Sequence, residues 1–190
     1  MNFKTFLEAA ENEIIVYHGS PNKITNFSTE FVGGKEAHDQ EGPGVYFTSS
    51  PDDAKIYGGF VHKVKLTPRK LVPLSGKINK SQIEKLILSS VGLNNVKELK
   101  NMDMNRFWES SLSNFGDSPD ESFHAAVKSI MDYSNSPHDA FQNVWINHFR
   151  YRPKDYVSEM VRLGYDGVRV PRTGLDHYII FNPGIIRVVD

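Results

Sequence analysis

Strand-like segments lie at the two ends of this chain and are missing from its middle, and that distribution limits the fold more than any other feature. Near the start, residues 14–17 (IIVY) are a β-branched run that predicts a strand, closed by the turn signals of His18-Gly19-Ser20-Pro21. Residues 45–48 (VYFT) follow Gly42-Pro43-Gly44 as a second short strand, and residues 60–66 (FVHKVKL) alternate apolar and polar as a third. Between them Ser50 is a predicted N-cap, with Pro51 at the first helical position and Asp52-Asp53 at the positive end. The helix should run to about Tyr57 and stop at Gly58-Gly59. The tail supplies three more strands at 167–170 (GVRV), 178–181 (YIIF) and 185–189 (IIRVV). Residues 76–150 have helical spacing instead, at 81–89, within 96–114, and at 121–133 and 138–150. A further helix at 154–163 ends at Gly164. A short amphipathic helix is expected at 2–11 and a flexible polar loop at 22–42, with Gly33-Gly34 inside it. Regular β-α-β alternation is absent, so the expected class is α+β with two small sheets, not a doubly wound parallel sheet. The length of 190 residues suits one domain, residues 1–190, carrying a helical insertion at about 76–150 that is too long for a structureless loop.

Composition narrows the chemistry. There are no cysteines, which excludes disulfides, Cys-based zinc sites and thiolate nucleophiles and fits a reducing compartment. No run of about 18 apolar residues exists to form a membrane-spanning helix. The opening MNFKTFLEAAENE lacks the basic start and apolar core of a signal peptide. A cytoplasmic protein without membrane attachment is therefore expected; the sequence leaves the oligomeric state open. Net charge is only −1, but residues 60–106 hold ten bases against three acids, while 1–59 and 107–149 are each −5. The basic block is either a solvated surface or a face for phosphate or an acidic partner.

The seven histidines (18, 38, 62, 124, 138, 148 and 177) form no HxH, HxxxH or HExxH pattern, so no metal site is expected. No GxSxG elbow or GxxxxGK[ST] phosphate loop is present. Polar residues instead collect at strand ends. His18 follows IIVY, with Gly19 able to admit a ligand close to the backbone. Tyr46 sits in the second strand, Tyr57 closes the next helix, and Asp176 and His177 open a late strand. Together they could hold a flat ring and a sugar; taken singly, each is equally at home as a half-buried core residue.

YHGS at 17–20, GPGVYFT at 42–48 and A-x-x-Y at 54–57, with the interval from Tyr46 to Tyr57, resemble the ADP-ribosyltransferases of the diphtheria-toxin and poly(ADP-ribose) polymerase branch. GYDGVRV followed by DHYIIFNPGII resembles that family's closing strands, and the likeness is closest to small bacterial and phage members. It covers 14–66 and 156–189 and leaves 76–150 unmatched. The resemblance implies an ADP-ribosyltransferase-like split pair of small packed sheets with NAD as co-substrate in the cleft between them, and no metal. It assigns the ribose hydroxyl to His18, the nicotinamide carboxamide to the backbone of Gly19, a ribose contact to Ser20, and the stacking of nicotinamide to Tyr46 and Tyr57. His18, Tyr46 and His177 would be the catalytic set. His177 stands where the polymerases have a catalytic Glu, with Asp176 one residue off and so on the opposite face of the strand. Ala54 stands where some have a Ser. The implied activity is transfer of single ADP-ribose units to a macromolecular acceptor, protein or nucleic acid, with release of nicotinamide. A non-catalytic NAD or ADP-ribose module, an NAD glycohydrolase and an enzyme like the RNA 2′-phosphotransferases stay as alternatives on the same fold. The 76–150 segment, with Trp108, Trp145, His124, His138 and His148, would recognise the target.

Overall fold

Residues 13–32 and 41–189 are described by the computed structural model. The helix expected at 2–11 and the glycine pair 33–34 lie outside the described residues. The first strand, β1 (Ile14–Ser20), is longer than its apolar run predicts. His18, Gly19 and Ser20 continue it because each pairs with β3 (Phe60–Leu66), as His18↔His62, Gly19↔Val61 and Ser20↔Phe60. The turn expected at His18 therefore begins only at Pro21. Residues 21–32 carry no strand and only a 3-10 turn at Thr29–Phe31.

β2 (Val45–Thr48) and α1 (Pro51–Ala54) form where expected. Ser50 caps α1 by accepting from the Asp53 N–H, and Pro51 occupies the first turn. A 3-10 turn, Lys55–Tyr57, completes the helix. β4 (Leu71–Val72) is a two-residue strand that the sequence pattern does not reveal. β5 (Gly167–Arg172), β6 (Leu175–Ile180) and β7 (Ile186–Val188) close the set. The mixed α+β class is as expected. The strands form one sheet, in the order β4-β5-β6-β2-β1-β3-β7, where two small sheets are the sequence expectation. The halves β4-β5-β6-β2 and β1-β3-β7 meet through one registered pair, Tyr17↔Thr48. Apolar positions at alternating places in β1, β2, β3 and β6 make the core: Val16, Val45, Phe47, Val64, Leu66, Tyr178 and Ile180, with Phe27 packed on them. Buried Asp166 ties the sheet's loops. Its Oδ2 accepts from the N–H groups of Arg69 (2.8 Å) and Lys70 (3.2 Å), and its Oδ1 from Asn182 Nδ2 (2.8 Å).

The chain clusters into two compact units. One comprises the described residues up to Val72 together with those from Met160 onward, and the other is Pro73–Glu159. The second is helical: α2 (Lys80–Ser90), α3 (Met104–Trp108), α4 (Pro119–Asp132), α5 (Pro137–Val144) and most of α6 (Pro153–Arg162). Leu86, Phe107, Leu112, Phe123 and Phe149 are fully buried in it. After α5 the backbone widens into a π-helical turn, Trp145–Phe149, which puts His148 inside.

His148 is 4% exposed, and its ring stacks on Phe115 at 5.5 Å between centroids. Burial pushes its pKa down from 6.5 to about 4. The ring is thus neutral when folded and titrates near 6.5 when unfolded. Its contribution is fully present above pH 6.5 and is lost as pH falls through 4. That displacement corresponds to about 3 kcal/mol, or a fall in Tm of roughly 6–12 °C between pH 7 and 4. Burial also lowers the pKa of His18 and His138, so their contributions run the same way. Thermal melts at stepped pH should show the fall, and His148→Gln should flatten part of it; parallel profiles for the two proteins would contradict the assignment.

Candidate active site

β1 presents His18 on the core side of the sheet. Its ring lies edge-on to Phe27 (5.0 Å) and tilted on Phe47 (5.6 Å), with Nδ1 2.7 Å from the Tyr46 carbonyl. A carbonyl only accepts, so Nδ1 carries the proton and the neutral ring keeps Nε2 as an acceptor. The neutral form is favoured: burial lowers the pKa, the Tyr46 carbonyl partly offsets it, and neighbouring His62 lowers it further.

Gly19 has a different constraint. A Cβ placed on it would lie 1.7 Å from the Ala54 carbonyl oxygen and 3.2 Å from Tyr57 Cβ. The helix α1 and its 3-10 extension therefore rest directly on the Gly19 backbone, which only glycine permits. Tyr57, at the end of that extension, is 51% exposed. Tyr46 is half-buried on β2 and donates its hydroxyl to the Gly42 carbonyl. Ser20 is buried, and its Oγ accepts from the Asn22 N–H at 3.2 Å, so its hydroxyl serves the turn after β1.

His177 sits on β6 opposite Thr48 of β2, two residues from the Tyr46↔Ile179 pair. Its Nδ1 is 3.0 Å from Glu41 Oε2 and its Nε2 3.3 Å from Asp53 Oδ2. Both carboxylates are largely buried, and Glu41 is also paired with Arg172. A carboxylate oxygen thus faces each ring nitrogen of His177. Asp176 is turned away: its carboxylate pairs with Arg169 at 2.9 Å, and Ser49 Oγ accepts from its N–H. A position adjacent to His177 in sequence therefore does not supply the local negative charge; Glu41 and Asp53 do.

The structure thus joins His18 to Tyr46 and Gly19 to Tyr57. α1 links these to His177, since Ala54 covers Gly19 while the neighbouring Asp53 reaches the imidazole. Sequence reasoning overlooks Glu41 and Asp53. Asp53 reads as a helix-dipole residue beside Asp52, yet only Asp52 faces solvent, where it pairs with Lys55 at 2.7 Å. Alternation around the α1 N-terminus could have separated the two; nothing in the sequence flags Glu41.

Among the described residues no group of three or more His, Asp or Glu side chains could hold a metal ion, and no helix is long and apolar enough to cross a membrane. None of the curated proteins compared matches the chain. A solved structure described as the crystal structure of an anti-CRISPR protein is similar over 93% of this chain and 96% of its own, at 14% identity and a TM-score of 0.36. The family described as ADP-ribosyltransferase in polyvalent proteins matches residues 12–190. With nearly the whole sequence matched, the chain belongs to this ADP-ribosyltransferase family, whose members take NAD as co-substrate.

Proposed function

We propose that this protein is a mono-ADP-ribosyltransferase of the diphtheria-toxin and poly(ADP-ribose) polymerase branch, acting in the cytoplasm on a protein or nucleic-acid acceptor. The observation that carries the reading is the seat of α1 on Gly19. It sets the exposed Tyr57 ring beside a backbone with no side chain, which suits a flat ring stacked on tyrosine and hydrogen-bonded by a glycine. NAD supplies an ADP-ribosyl group on a cationic leaving group, so no general acid is required for nicotinamide to depart. Tyr57 and Tyr46 fix the ring, the Gly19 N–H and C=O orient its carboxamide, and Ser20 lies at the ribose. Neutral His18 accepts from a ribose hydroxyl through Nε2.

His177 takes the place of the usual Glu. A bare imidazolium there would repel the positive charge that develops on the ribose. Its two carboxylate partners offset that charge: Glu41 and Asp53 place carboxylate oxygens at the corner, Arg172 is paired with Glu41, and the imidazole spaces and orients the two carboxylates. One imidazole cannot do what a free Glu does for repeated acceptor activation, which supports single-unit transfer. The helical segment of about 76–150 is in this reading an insertion in one ADP-ribosyltransferase domain and recognises the target.

Tyr57→Ala tests the cleft. The side chain is half exposed, so stability should change by no more than about 0.5 kcal/mol. Lost stacking should weaken NAD by about 1–2 kcal/mol, roughly 5- to 30-fold, in a calorimetric titration. His18→Ala should weaken NAD as well. Unchanged affinity in both variants would place NAD elsewhere.

A further inference from the structure

The unit Pro73–Glu159 contains a groove of about 760 Å³ that the proposed transfer does not use. Arg106, Arg150 and Arg152 line it, together with Ser111, His148 and Tyr151. The unit as a whole is not basic, with ten Lys and Arg against eleven Asp and Glu. Yet its three arginines all face this groove, its seven other cations are lysines placed elsewhere, and Glu109 is the one carboxylate in the lining. Arginine, unlike lysine, presents a planar fork that matches two phosphate oxygens.

Two of the forks are held in place. Arg106 Nη2 donates to the Val91 carbonyl and Arg152 Nη2 to the Ser90 and His148 carbonyls, while Arg152 Nη1 lies 3.7 Å from Asp155 Oδ2, an ion pair a phosphate would have to displace. Arg150 makes no hydrogen bond or ion pair among the described residues. The groove also reaches a buried polar ring: His148 has Nδ1 2.8 Å from Ser111 Oγ, while its Nε2 is buried without a partner. The π-helical turn that carries His148 is a departure from α-geometry often found at ligand sites. Tyr151 lies between Arg150 and Arg152 and is 93% exposed, so its ring packs on nothing. Cationic forks alternating with a bare aromatic face are the chemistry of a phosphate paired with a base, and the volume is that of a small-ligand pocket.

We propose that this groove binds a nucleotide, its phosphate in the forks of Arg106, Arg150 and Arg152 and its base stacked on Tyr151. The nucleotide is either free or one unit of a single-stranded nucleic acid; the recognition chemistry is the same. The site is independent of the NAD assignment, since every residue invoked lies within Pro73–Glu159.

The test titrates the full chain with uridine monophosphate and, separately, with a short oligouridylate, each with the NAD cleft saturated. The histidine Cε1–H resonances are followed by NMR. Expected are saturable binding and a shift of the His148 signal. Arg150→Ala and Tyr151→Ala should each weaken binding about tenfold or more, and Arg150→Lys should restore it only in part. Both side chains are exposed, so melting and NAD affinity should stay at wild-type values in every variant. Equal affinities for the two probes assign a free nucleotide. An oligouridylate that binds far more tightly, with a steep salt dependence, assigns a nucleic acid. Neither probe binding at about 1 mM, or binding that ignores both alanine variants, would overturn the proposal. Loss of NAD binding with this pattern intact would count against the NAD cleft alone.

Discussion

Gly19→Ala is expected to displace α1, lower the melting temperature and remove most NAD affinity, although it adds one methyl group. The added Cβ would fall 1.7 Å from the Ala54 carbonyl oxygen, and that neighbour is backbone, so no rotamer change relieves the clash. The contact distance has to open by more than 1 Å, carrying Lys55–Tyr57 with it. Overpacking of this kind costs about 3 kcal/mol, a fall in Tm of roughly 6–12 °C. A misplacement of about 1 Å in the groups that orient NAD costs roughly 100-fold in catalysis. Gly59→Ala is the matched control, because its Cβ would meet nothing within 4 Å. It should melt within about 0.5 kcal/mol of wild type. If Gly19→Ala melts and binds NAD like the Gly59 control, α1 does not rest on Gly19 and the cleft loses its floor.

His177→Ala is expected to separate binding from turnover. NAD affinity should change by less than about threefold, because stacking and the Gly19 contacts are untouched, while kcat for nicotinamide release falls by roughly 100-fold or more. Without the imidazole, Asp53 loses its 3.3 Å partner, while among the described residues Glu41 keeps Arg172. Glu41→Gln should lower kcat in the same way and leave NAD binding intact. Combining His177→Glu with Glu41→Gln returns a carboxylate to the corner and should recover part of the rate. Equal losses in KM and kcat across these variants would mean that the cluster only shapes the cleft.

Local rules carried the sequence reading a long way where neighbours in sequence are neighbours in space. Ser50-Pro51-Asp52-Asp53 spelled out the cap of α1, and Gly164 the end of α6, with φ +84°. Residues 60–66 alternated because one face meets the core. The same rules cut β1 short at His18, since glycine and serine carry turn propensity and only pairing with β3 overrides it. They also suggested two sheets, because the single Tyr17↔Thr48 junction leaves no periodic trace. In the site, the interval from Tyr46 to Tyr57 is local, since it spans only β2, α1 and the 3-10 turn that follows. The Glu41–His177–Asp53 cluster is not: its members are 136 and 124 residues apart, and each carboxylate has an ordinary local explanation. Likewise the Arg106, Arg150 and Arg152 groove joins residues that the sequence spreads between a basic and a mixed segment.

The most direct test of the central claim is to incubate the purified protein with NAD labelled in its ADP-ribose moiety, with and without cell lysate, and to follow free nicotinamide and labelled macromolecules in one time course. ADP-ribosyl transfer predicts nicotinamide release matched by single ADP-ribose additions on a protein or nucleic acid, both lost in His177→Ala. Tight NAD binding with neither nicotinamide release nor label would contradict transfer and leave a nucleotide-binding module. Release without label under every lysate tried would make the protein an NAD hydrolase.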